Sequence, residues 1–97
     1  MAIRDSSIFA PAPLCVSRFD KKAATVELVC IGHHTQVYKI DGVSAFVWQQ
    51  LNGKNSVGQI VAKVLEEFEV TPARAKRDIR SVLDRLLSID VIQERQA

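Results

Sequence analysis

Ninety-seven residues with a net charge of +2, 47% apolar and 25% charged, describe one small globular domain. A core of that size leaves no room for a deep substrate cavity as well, and so weak a basic excess lacks the stripe of a dedicated nucleic-acid binder. No run approaches the about 20 apolar residues of a membrane span, and no secretory signal is visible, so a cytoplasmic protein with no membrane partner is expected.

In chain order, residues 1–13 (MAIRDSSIFAPAP) hold two of the three prolines and little periodicity. They are read as a flexible N-terminal arm ahead of a domain spanning 14–97. Leu14–Phe19 is a short candidate strand, and Ala24–Ile31 a stronger one. In the second, Val26, Leu28 and Cys30 point one way while Glu27 and Val29 point the other. Gly32-His33-His34 reads as a turn, after which Thr35–Ile40 alternates again, Tyr38 and Ile40 opposite Val37 and Lys39. The last two strands predict an antiparallel hairpin, and the first completes a three-stranded meander that needs helices against it.

The period changes at Asp41, a candidate cap whose carboxylate can accept from first-turn N–H groups. Val43, Phe46, Val47 and Leu51 fall at helical spacing, and Asn52-Gly53 stops that helix. Ser56-Val57-Gly58-Gln59 has the spacing of a capping box, and Val57, Ile60, Val61, Val64, Leu65 and Phe68 form the stripe of a second helix. Thr71-Pro72 opens a third, with Thr as cap and Pro at the first position. Ala75, Ile79, Val82, Leu83, Leu86 and Leu87 give its buried face, the helix ends near Ser88, and Val91-Ile92 adds a brief extended piece. Three strands followed by three helices, with a short loop before the third helix, predict an α+β, winged-helix-like domain.

Chemistry-bearing residues are sparse, and no catalytic set, metal site or cofactor is expected. Cys15 and Cys30 lie in apolar strands without an activating charge and are read as buried thiols of a reducing compartment, a bridge between neighbouring strands being the alternative. Neither sits in a CxxC pair, so His33 and His34 are read as solvated turn residues. Asp41-Gly42 and Asn52-Gly53-Lys54 lack the spacing of a phosphate-binding loop. Trp48 is read as a core or rim residue.

Two surfaces remain. The third helix carries Arg74, Lys76, Arg77, Arg80 and Arg85 with Asp78 and Asp84 mixed in, which suits a solvated face, an acidic-peptide dock or, as the alternative function, a winged-helix nucleic-acid or regulatory module. The third strand has an open edge if the strands run in sequence order. Such an edge can template pairing with an extended peptide or with a second copy of the chain, unless Gln36 and Lys39 blunt it.

The run VYKIDGVSAFVWQQLNGKNSVGQIVAKVLEEFEV, followed by RDIRSVLDRLLSIDVIQE, resembles the PqqD-like family, the group of RiPP recognition elements (RiPP: ribosomally synthesised, post-translationally modified peptide). The likeness lies in the hydrophobic-Asp end of strand three, the aromatic-rich first helix, the Leu51-x-Gly53, Ser56-Val57 and Ile60 junction, the second helix ending in Phe68, and the Asp78-Ile79 start to a stripe closed by paired leucines. It covers about residues 14–94. It implies three antiparallel strands with three helices and a non-catalytic adaptor. Such a protein takes up the leader segment of a precursor peptide as an added strand and presents it to a radical S-adenosylmethionine (SAM) enzyme, a lasso-peptide protease or another modifying enzyme. Carried onto this chain, Thr35, Gln36, Val37, Tyr38 and Lys39 supply the edge, and Asp78, Ser81, Val82 and Arg85 the helical side. Phe46 and Trp48 are then expected at the groove's floor or back wall. Members dedicated to quinone biosynthesis often carry Pro-Glu where this chain has Gly32-His33-His34, which points to a generic member.

Overall fold

The computed structural model describes residues 3–31 and 36–95. Its elements are β1 (Ile8–Pro11), β2 (Cys15–Asp20), β3 (Thr25–Cys30), β4 (Gln36–Asp41), α1 (Gly42–Gln50), α2 (Val57–Glu67), α3 (Pro72–Ser88) and β5 (Ile92–Arg95). The period-two segments become an antiparallel sheet in the order β2-β3-β4, with Glu27 opposite both Arg18 and Lys39. Val26 and Leu28 are buried, and Cys30, Tyr38 and Ile40 pack on the same core, so one face of the sheet meets the helices as the alternation predicts. The core continues through Val47 and Trp48 of α1, Ile60 and Val64 of α2, and Ile79 and Leu83 of α3.

The helix starts follow local side-chain chemistry. Gln59 N–H donates to the Ser56 hydroxyl at 3.2 Å and Ser56 N–H donates to Gln59 Oε1 at 2.8 Å, a complete capping box. The Thr71 hydroxyl accepts from Arg74 N–H at 3.2 Å, with Pro72 at the first turn. Asp41 does stand at the cap position of α1, but its side chain accepts no capping hydrogen bond. No helix among the described residues is long and apolar enough to cross a membrane.

The N-terminal segment departs from the expected loose arm. Ile8–Pro11 pairs antiparallel with Ile92–Arg95 in a second, two-stranded sheet, and Phe9 is only 1% exposed. The residues before it are also engaged. Val57 N–H donates to the Ser7 carbonyl and Gly58 N–H to the Asp5 carbonyl, both at 2.9 Å. Two of the N–H groups that open α2 without an intrahelical partner are thereby satisfied by the segment. A large aromatic ring gained for the core and donors satisfied at a helix start together fix a stretch whose own periodicity is too short to read.

The cysteines depart from the thiol reading. Cys15 and Cys30 are direct cross-strand partners, their Cα atoms 4.1 Å apart, and they form a disulfide. Ile31 N–H donates to the Leu14 carbonyl at 2.9 Å, so the adjoining cysteine pair occupies a non-hydrogen-bonded position, where opposed side chains come closest.

Candidate functional site

The same hydrogen bond sets the direction of every backbone group in the sheet, because these directions alternate along an antiparallel strand. Ile31 turns its N–H toward β2, so Cys30, Leu28 and Val26 turn theirs toward β4. Their partners there are Gln36, Tyr38 and Ile40. Val37, Lys39 and Asp41 therefore direct their N–H and C=O groups away from β3. Among the described residues no strand pairs with that side of β4. The N-terminal segment is taken up by β5 and the start of α2 instead.

On the core side, Gln36 and Tyr38 open onto a cleft of about 590 Å³. The Cys15–Cys30 pair, Leu14, Ile31 and, from the end of α3, Ile89 complete most of its wall. The Tyr38 hydroxyl donates to Gln36 Oε1, joining two side chains on the same side of the edge strand. On the outer side, Val37 is 63% exposed, and Lys39 is exposed as well.

Two observations orient α3 relative to this cleft. Ile89 shares the cleft with Tyr38, whereas Lys76 pairs with Asp5 of the N-terminal segment at 3.7 Å. Counting back from Ile89 at helical spacing, Arg85, Val82 and Asp78 lie on its flank. Val82 is buried, Asp78 is half-buried and pairs with Arg74 at 3.7 Å, and Arg85 is exposed. Ser81 is exposed and sits instead in a shallow cleft along the outer surface of α3, with Arg77, Arg80 and Asp84.

Of the residues expected at the site, Gln36, Val37, Tyr38 and Lys39 are thus on one open strand, and Asp78, Val82 and Arg85 share a helix flank. Thr35, with His33 and His34, lies outside the described residues. Phe46 and Trp48 are not walls of the cleft beside Tyr38. Phe46 packs edge-on against Phe68, the residue just after α2, ring centroids 5.4 Å apart, and Trp48 lines a separate hollow with Pro11, Ser17 and Phe19 on the β2 side. The residues that sequence reasoning missed are Leu14, Ile31 and Ile89 at the end of the cleft. Their signal was faint: apolar side chains just beyond the ends of regular elements.

The family model for coenzyme PQQ synthesis protein D (PqqD) matches residues 27–92. The chain belongs to the PqqD family. The match begins within β3 and ends at the first residue of β5, so it takes in the open strand and all three helices, while β1 and β2 lie outside it. No curated protein matches the sequence. Three solved structures share the fold of this PqqD-family chain. TbiB1 in complex with the TbiA(β) leader peptide aligns with a TM-score of 0.79 at 19% identity, over 91% of this chain and 99% of that one. Lasso peptide synthetase B1 complexed with the leader peptide gives 0.75 at 19% identity, over 88% and 96%. The PqqD truncation of Methylobacterium extorquens PqqCD, a functional and stand-alone RiPP recognition element, gives 0.73 at 22% identity over 95% of both chains.

Proposed function

We propose that the chain is a non-catalytic adaptor. It binds the leader segment of a ribosomally made precursor peptide as an added strand on β4 and presents it to a modifying enzyme such as a radical SAM protein. The observation that carries this reading is the outward-facing, unpaired backbone of Val37 and Lys39 beside the cleft under Tyr38. Strand addition uses main-chain hydrogen bonds for affinity and side-chain pockets for selectivity, and both parts are available here. Family membership supports the reading, as does the shared fold with two proteins solved with leader peptides.

Residues 35–39 form the edge in this proposal, and Asp78, Val82 and Arg85 the helical side, with Ser81 at its margin. In the absence of peptide the same edge can pair two copies of the chain. The cytoplasm is the compartment in which a ribosomal precursor is met.

The test is a titration of isotope-labelled protein with synthetic peptides that copy the leader segments of candidate short precursors. Backbone amide signals of residues 36–39 should move most. Val37→Pro removes an outward N–H and should weaken binding while leaving the circular dichroism spectrum in place. Shifts confined to the outer stripe of α3 would refute the edge as the site.

A further inference from the structure

The open edge continues two cross-strand rows on the sheet face turned away from the helices. Val16, Val29 and Val37 align in one row, and Arg18, Glu27 and Lys39 in the next. The first row is aliphatic, and the second runs positive, negative, positive. Among the described residues Lys39 has no carboxylate within ion-pair distance, the pairs there being Arg74–Asp78 and Lys76–Asp5. A strand added beside β4 supplies the fourth member of each row, because residues directly opposite one another share a face of the sheet.

We propose that the edge selects a segment of the form acid-x-aliphatic, with Asp or Glu beside Lys39 and a β-branched residue beside Val37. This rests on the strand-addition reading above and adds the side-chain chemistry that the site prefers. Val37 and Lys39 are the residues whose backbone groups face outward, so each selected residue sits in a hydrogen-bonded pair and is held in register by its own N–H and C=O. The intervening residue falls opposite Tyr38, and its side chain turns to the other face, toward the cleft. Both existing pairings in this sheet are antiparallel, and a further antiparallel strand makes the stronger ladder. In that direction the acid precedes the aliphatic residue by two positions. A β-branched side chain next to Val37 extends a row already built of valines, and an acid next to Lys39 completes the alternation of charge.

The test is selection from a random library of short displayed peptides against the full chain, against Lys39→Glu and against Val37→Pro. Peptides enriched on the unaltered chain should carry an acid two residues before a β-branched residue. Replacing that acid with alanine should weaken binding up to about fivefold, the range of an opposite-charge cross-strand pair, and the preference should turn to a basic residue on Lys39→Glu. An acid preference that persists unchanged on Lys39→Glu, while Val37→Pro abolishes binding and keeps its circular dichroism spectrum, overturns the charge selection and leaves strand addition standing. Peptides that bind Val37→Pro as well as the unaltered chain overturn strand addition, and this inference with it.

Discussion

The backbone N–H of Gly53 donates to the carbonyl of Phe9 at 3.0 Å, tying the N-terminal strand to the turn between α1 and α2. The Phe9 ring is buried in the core, so this tie anchors a structural element rather than a tail. Phe9→Ala should therefore lower the free energy of unfolding by about 3–5 kcal/mol, the range for emptying a buried phenylalanine site. Urea denaturation followed by circular dichroism checks it. A loose arm would give almost no change.

Gly53 itself has φ +78, and a Cβ there would come within 2.7 Å of the Arg95 guanidinium. Gly53→Ala should cost about 1–2 kcal/mol from the left-handed backbone alone. Adding Arg95→Ala should relieve only the part due to crowding. Comparing the single and double variants in the same denaturation experiment separates the two causes.

The Cys15–Cys30 bridge closes a segment with a sequence separation of 15. In the chain-entropy account, a loop of that length contributes about 3 kcal/mol by restricting the unfolded chain. Excess dithiol should therefore lower the urea midpoint of the native protein, while the Cys15→Ser/Cys30→Ser double variant shows no response to it.

Backbone direction on β4 predicts opposite outcomes for proline at neighbouring positions. Tyr38 turns its N–H toward Leu28, so Tyr38→Pro removes a ladder hydrogen bond and should destabilise the fold by about 3 kcal/mol or more. Val37 turns its N–H outward, so Val37→Pro should leave thermal stability nearly intact. Melting temperatures of the two variants, measured side by side, test the register directly. Similar losses in both would show that the directions have been assigned to the wrong residues.

The sequence makes some of these elements plain and hides others for physical reasons. Alternation over Val26–Cys30 and Val37–Ile40 is long enough to predict β3, β4 and their inward faces. Ser56-x-x-Gln59 and Thr71-Pro72 state their helix starts locally, because capping depends on residues only a few positions apart. The strands β1 and β5 are four residues each and meet across nearly the whole chain, so neither carries a repeat that betrays its partner. The disulfide depends on register, since a slip of one residue would put the two sulfurs on opposite faces. The groove-facing flank of α3 is ambiguous because charges surround its apolar stripe. Lys76 pairs with Asp5 on one side of the helix, and Ile89, just past its end, lines the cleft with Tyr38.

The pairing of Ile8–Pro11 with Ile92–Arg95 closes the N-terminal and C-terminal strands on each other in the smaller sheet. The open edge belongs to the larger one. Substitutions that loosen the β1–β5 seam would therefore act on the stability of the fold while leaving the outward backbone groups of β4 in place.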